Sequence, residues 1–217
     1  MKQYCISLEI AGPTALWTRP DTGDSPGTYP APTRSAVRGI FESILWNPAV
    51  RIIPRAVEIC SPLVFHHYAT NYGGPLRKSG QIKNGNNYQQ FATVLINVRY
   101  CFHAEVRVFD GPIVSEKAAR WREATRSPAH AFQEIFERRL RRGQCHTVPS
   151  LGWREFVPSY VGALRNDTSV QSDINLSIAS MVDEVFPSGP HGSYCPSFVQ
   201  DVRIQNGVLI YGAGHAE

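Results

Sequence analysis

No two of the five cysteines, at positions 5, 60, 101, 145 and 195, have the C-x-x-C spacing of a zinc ribbon or a redox motif. Their odd number and wide separation also argue against the disulfide framework of a small secreted domain, so reduced thiols in a cytosol are expected. No apolar run approaches the length of a membrane span, and the opening Met-Lys-Gln-Tyr-Cys-Ile-Ser-Leu-Glu-Ile lacks the apolar stretch and cleavage site of a secretory signal. The sequence therefore reads as that of a soluble, cytoplasmic protein with no membrane partner. Internal repeats are absent, which removes solenoids and propellers. No cluster of ligand-type residues has metal spacing, and neither a metal nor another cofactor is expected. Lysine is scarce, for arginine makes up most of the 22 basic residues. Set against 18 acidic ones they leave a formal charge of +4, which favours a polyanionic partner only weakly, although planar arginine forks suit phosphate better than point charges do.

What is present fits one globular core, since 217 residues can bury one as a single domain or with a small appendage. Ile6, Leu8 and Ile10 alternate with Ser7 and Glu9, which predicts a half-buried first strand ending at Gly12-Pro13. Residues 15–32 are crowded with Pro, Gly, Asp and Ser and read as a long loop. Thr33 offers an N-cap to a helix carrying Ala36, Val37, Ile40, Phe41, Ile44 and Leu45, stopped by Asn47-Pro48. Residues 49–65 are strand-like but broken by Pro54 and Pro62, which predicts a place near a sheet edge. The stretch 66–90 is polar, rich in glycine and asparagine, and studded with tyrosine and basic residues; it predicts an excursion from the core that touches a ligand. Strand pattern returns at 92–109, a linker with Asp110-Gly-Pro112 follows, and Ser127-Pro128 opens a helix through Arg141. Residues 173–186 are ambiguous, and 198–211 predict a hairpin around Asn206-Gly207. This order is the split βαβ plan of an α+β, ferredoxin-like (RRM-like) domain over residues 1–156, with the excursion at 66–90 inserted and a small C-terminal antiparallel β appendage at 157–217.

The stretch that organises the rest runs from Arg138 to Phe156. Arg138, Arg139, Arg141 and Arg142 crowd a helix end, Gly143 suits the left-handed cap, and Gly143 and Gly152 bracket a loop followed by Arg154. Such arginines can simply cap and solubilise a helix; with the glycines and the aromatic segment beyond, they point to phosphate binding. Interleaved aromatic and basic residues in the excursion suit single-stranded nucleic acid, where bases stack and phosphates pair.

Gly12-Pro-Thr-Ala-Leu-Trp-Thr-Arg-Pro20, Pro32-Thr-Arg-Ser-Ala-Val-Arg-Gly-Ile-Phe-Glu-Ser-Ile-Leu-Trp-Asn-Pro48, Arg142-Gly-Gln-Cys145, Leu151-Gly-Trp-Arg-Glu-Phe156 and the Asn206-Gly207 hairpin together resemble the CRISPR-associated Cas5 family of the RAMP superfamily, nearest its type I-C branch. The likeness extends in order over nearly the whole chain. It implies a subunit of the Cascade surveillance complex that grips the five-prime handle of the crRNA in antiviral defence. Its partners would be precursor repeat RNA, the backbone and large Cascade subunits and, indirectly, target DNA. RNA contacts are expected from Arg19, Arg34, Arg38, Arg142, Gly143, Gln144, Gly152 and Arg154. The branch also implies a metal-independent endoribonuclease that cuts pre-crRNA at the repeat hairpin, although Leu45 and Ile96-Asn97 stand where the branch's usual catalytic side chains would be. The expected catalytic set is therefore His66 or His67 as base, assisted by Tyr68 or Tyr88 and by Lys78. A handle-binding scaffold without cleavage, and a module that binds only protein, are the rival readings.

Overall fold

The computed structural model describes residues 3–72, 78–85, 88–111, 113, 115–186 and 194–212. His191, His215 and parts of the 66–90 excursion lie outside them.

The chain folds as a mixed α/β molecule around one antiparallel sheet. Its strands are β1 (Tyr4–Ala15), β2 (Val50–Ile59), β3 (Phe65–Tyr72), β4 (Tyr88–Val108), β5 (Tyr160–Gly162), β6 (Leu176–Glu184), β7 (Ser197–Gln205) and β8 (Val208–Ile210). They run in the order β5-β1-β4-β2-β8-β7-β6, while β3 pairs with the first half of β4. The helices are α1 (Arg34–Ile44), α2 (Ser79–Lys83), α3 (Glu116–Ala124) and α4 (Pro128–Arg141). None among the described residues is long and apolar enough to cross a membrane.

Period-2 alternation puts Ile6, Leu8 and Ile10 of β1 and Phe102, Ala104 and Val106 of β4 on one buried face. Onto that face α1 lays Val37, Ile40, Phe41 and Ile44, and α4 lays Phe132, Phe136 and Leu140; Phe41 meets Phe136 at 5.6 Å between ring centroids and Phe102 at 6.5 Å. The Thr33 hydroxyl accepts from the Ala36 amide at 3.2 Å, the expected N-cap of α1. Helix α4 starts on Pro128 and ends in a Schellman turn: Gly143 has φ 63°, its N–H donates to the Leu140 carbonyl at 3.2 Å, and the Gln144 N–H donates to the Arg139 carbonyl at 2.9 Å.

Several local expectations change once tertiary pairing is known. Strand β2 does not border the sheet, because β8 pairs with Ala56–Glu58 on the side away from β4. Pro54 is tolerated because it sits beside a register shift, outside the stretch that β8 covers. Helix α3 occupies what read as linker; only Ala118 of it is buried, so it shows little apolar period. The ambiguous 173–186 stretch contains β6, and the Asn206-Gly207 turn joins β7 to β8 as expected. Through β8 the C-terminal strands continue the main sheet.

The sheet's second face is polar. Glu9, expected toward solvent, is fully buried there: its carboxylate accepts from the Arg165 backbone and Nε, both at 2.9 Å, from Arg165 Nη2, and from the Thr168 hydroxyl at 3.0 Å. Burial pushes that carboxyl up, but the Arg165 and Thr168 hydrogen bonds outweigh it and hold the group below its ordinary range. Nearby, Glu105 takes Arg107 and Arg55, and His103 bridges Ser7 at 2.9 Å and Glu58 at 3.2 Å.

Candidate nucleic-acid interface

Segment 143–156 is fastened to α1 and β1 by its backbone. The His146 and Thr147 amides both donate to the Ser43 carbonyl, at 2.7 and 2.9 Å, so the loop after α4 closes over the C-terminal end of α1. Further on, the Leu16 N–H donates to the Leu151 carbonyl at 2.9 Å, and the Leu151 N–H to Phe156 at 2.8 Å. Gly152 has φ 98°, and a Cβ there would lie 2.7 Å from the carbonyl carbon of Leu16. Its missing side chain is thus explained by close approach to the protein's own backbone, whereas Gly143 faces open space as a helix cap. Between α1 and residues 147–152 runs a groove of about 270 Å³, floored by Ala36, Gly39, Ile40 and Ser43.

Beyond the groove the aromatic segment meets the excursion. Trp153 stacks on Phe156 with centroids 5.6 Å apart and planes 18° apart, and Tyr68 of β3 stands edge-on to Phe156 at 5.5 Å. The structure thereby joins two regions that the sequence could only treat separately. Strand geometry also separates the two histidines. His66 pairs with Val94 and Tyr68 with Ala92, so His66 and Tyr68 share one face; His67 pairs with Thr93 on the other, beside exposed Phe65 and Phe91. His66 and His67 are both exposed. Lys78 is exposed just before α2, past the Tyr72–Tyr88 pair that ends the β3–β4 ladder. Of Tyr88, only its place at the start of β4 is described.

The arginines divide into two groups. Arg142 and Arg154 are exposed, as are Arg138 and Arg141, and none of these four side chains has an ion-pair partner among the described residues. Gln144 is exposed beside them. The other group already holds carboxylates. Arg34 grips Asp183 with two hydrogen bonds of 2.6 Å and reaches Glu184 at 3.4 Å; Arg38 bonds Glu184 and lies 3.9 Å from Glu42. These pairs tie α1 to β6. Arg19 binds Asp21 at 2.6 and 3.1 Å and sits over the Tyr29 ring at 5.7 Å. Phosphate would have to displace an acid at each of Arg19, Arg34 and Arg38, but not at Arg142 or Arg154.

Sequence reasoning missed Trp153 and Phe156 as a stack joined to Tyr68, and missed the acids facing α1. The i, i+3 aromatic spacing was a signal for the first; Asp183 and Glu184 lay in the ambiguous stretch with no local cue. Elsewhere, the described residues that could hold a metal are Glu58, Cys60 and Cys101, whose ligand atoms lie within 4.8 Å of one another.

The family model for CRISPR-associated protein (Cas_Cas5) matches residues 5–174. A CRISPR pre-crRNA endoribonuclease Cas5d of Mannheimia succiniciproducens is 27% identical, over 98% of this chain and 96% of that protein. Among solved structures, a CRISPR-associated protein superimposes with a TM-score of 0.70 at 20% identity, over 98% of this chain and 94% of that one. A chain of a CRISPR RNA-guided surveillance complex shares the fold at a TM-score of 0.52 and 16% identity, over 97% of this chain and 92% of that one.

Proposed function

Because the chain belongs to the CRISPR-associated Cas5 family, we propose that it binds the five-prime handle of crRNA within a Cascade complex, in antiviral defence, and cuts the precursor at its repeat hairpin. The scaffold is a ferredoxin-like domain over residues 1–156, with the 66–90 excursion inserted and 157–217 as a small C-terminal β-rich region. The order β1-β4-β2, with α1 and α4 on one face, supports that reading, and β5, just past residue 156, adds to the β1 edge. A relative that carries the name of a pre-crRNA endoribonuclease supports the enzymatic half.

One observation carries the proposal: half-buried Tyr68 and Trp153 both pack on the buried ring of Phe156, which draws the excursion and the arginine-bearing loop together next to unpaired Arg154. Half-buried Tyr68 and Trp153 offer stacking to unpaired bases, with Phe156 buried behind them, and the arginines of the 138–154 stretch offer phosphate contacts that position the strand without reading its sequence. Arg142, Gly143, Gln144 and Arg154 form the primary grip, and Gly152 seats the loop that carries Arg154 against Leu16. Arg19, Arg34 and Arg38 join it only by exchanging acidic partners.

In the cleavage step a ribose 2′-oxygen attacks the adjacent phosphorus, and its proton passes to His66. The bond from phosphorus to the 5′-oxygen breaks, that oxygen takes a proton from an acid, and a 2′,3′-cyclic phosphate and a 5′-hydroxyl result. His66 takes the base's role ahead of His67 because it shares the Tyr68 face. Lys78 supplies positive charge to the phosphorane. Favouring the second reading, a scaffold that binds handle RNA and neighbouring Cascade subunits without cutting, six residues of strand separate His66 from the Tyr72 end beyond which Lys78 lies, about 20 Å in extended chain.

The test is incubation of the protein, in EDTA, with labelled repeat hairpin RNA and with a copy bearing a 2′-deoxy nucleotide at the cut. Cleavage of the first only, abolished by His66→Ala and kept by His67→Ala, is the expected result. Retention of both RNAs intact would leave the scaffold. Binding that does not weaken as salt rises would point instead to a protein-only module.

A further inference from the structure

The polar face of the sheet, opposite α1 and α4, brings together thiols that lie 41 residues apart in sequence. Cys60 directly follows β2, its N–H donating to the Arg99 carbonyl at 2.8 Å, and Cys101 lies within β4; their Sγ atoms are 3.7 Å apart, and both residues are buried, at 8% and 4% exposure. A carboxylate oxygen of Glu58 completes a set in which all three ligand atoms lie within 4.8 Å of one another. We propose that Cys60, Cys101 and Glu58 form a site for a thiophilic divalent metal ion of the Zn²⁺ type, stapling β2 to β4.

Three observations carry this. Two thiolates on one tetrahedral Zn²⁺, each at about 2.3 Å, stand roughly 3.7–3.8 Å apart. The protein already holds its two sulfurs at that separation, so binding needs no movement of the strands. Second, the carboxylate is supported as metal-bound carboxylates are: Glu58 Oε1 lies 3.2 Å from His103 Nε2, and His103 Nδ1 lies 2.9 Å from the Ser7 hydroxyl. Third, the sulfurs are covered while the Glu58 and His103 side chains keep 38% and 31% exposure, so the ion has an entry path on the rim and a fourth position for water or His103. Glu9 adjoins the pair across the Glu9–Cys101 register and adds negative potential, tempered by Arg165 and by Arg99 at 3.8 Å.

The test uses the full chain, reduced and stripped with chelator, in a background where the exposed Cys5, Cys145 and Cys195 are serine, so that only the proposed thiols remain. Co²⁺ is titrated and followed by thiolate charge-transfer and tetrahedral d–d absorption, then displaced by Zn²⁺. The expected result is one equivalent bound, no thiolate band in Cys60→Ala or Cys101→Ala, and about 10-fold or greater weakening in Glu58→Gln, with His103→Ala weakening it less. Since the buried cysteine variants can lose stability, Glu58→Gln on the rim keeps the test sound in a protein that folds. Absence of a thiolate band at stoichiometric Co²⁺, or an unchanged titration in Glu58→Gln, would overturn the proposal and leave Cys60 and Cys101 as buried packing groups.

Discussion

Replacing Gly152 by alanine perturbs the segment on which the candidate interface rests, and its cost can be worked out from geometry. The new Cβ would stand 2.7 Å from the Leu16 carbonyl carbon and nearer still to the oxygen. That is roughly 0.8 Å short of the separation of ~3.5 Å at which two carbons rest. Side-chain rotation cannot relieve it, because the obstacle is backbone and is fixed by the Leu16 to Leu151 hydrogen bond. A φ of 98° adds strain that glycine escapes. Strained backbone and overpacking cost about 1–3 kcal/mol each, so Gly152→Ala should lose about 2–6 kcal/mol. For a chain of this size that lowers Tm by roughly 4–24 °C. Gly143→Ala is the control: φ is 63°, nothing lies within 4 Å, and only the left-handed cap suffers, about 1 kcal/mol or roughly 2–4 °C. Calorimetry on both variants decides it. A Gly152→Ala shift no larger than that of Gly143→Ala would refute the account of how the 151–156 segment is seated. Any folded Gly152→Ala protein should also bind repeat RNA less tightly, because Trp153 and Phe156 move with the backbone.

Three further outcomes follow from the charged groups. The folded-state pKa of Glu9 lies below its ordinary 4.5, so its contribution is fully present above that value and is lost as pH falls through the lower one; Glu9→Gln should be less stable at neutral pH yet lose less on acidification, as read from urea midpoints. Asp183→Asn leaves Arg34 with Glu184 alone, at 3.4 Å, and should cost about 2 kcal/mol in chemical denaturation, less than a fully buried pair because Arg34 keeps 25% exposure. Arg142→Ala and Arg154→Ala should each leave Tm almost unchanged while lowering the log–log salt slope of single-stranded RNA binding by about 0.7.

Features set by neighbours in sequence were legible before the structure was known. The β1 alternation, the Thr33 cap, the Pro128 start and Gly143 end of α4, and the Asn206-Gly207 turn are each decided within a few residues. Those decided at long range were not. The interior position of β2 depends on β8, about 150 residues later, and Glu9 is buried only because Arg165 and Thr168 fold over it. Helix α3 escaped notice because it buries little. For the candidate site, the arginine-rich helix end and the glycine loop were readable as composition. Which arginines stay unpaired was not, since Asp183 and Glu184 reach α1 through the fold alone. Likewise one period-2 strand cannot say which of His66 and His67 shares the surface of Phe156 until Tyr68 is seen against that ring.

The most direct test of the central claim is ultraviolet crosslinking of bound repeat RNA, followed by mass spectrometry of the attached peptides. The account predicts adducts on Tyr68 or Trp153, diminished by Arg154→Ala. Adducts confined to Phe65 and Phe91, on the opposite face of the β3–β4 hairpin, would contradict it.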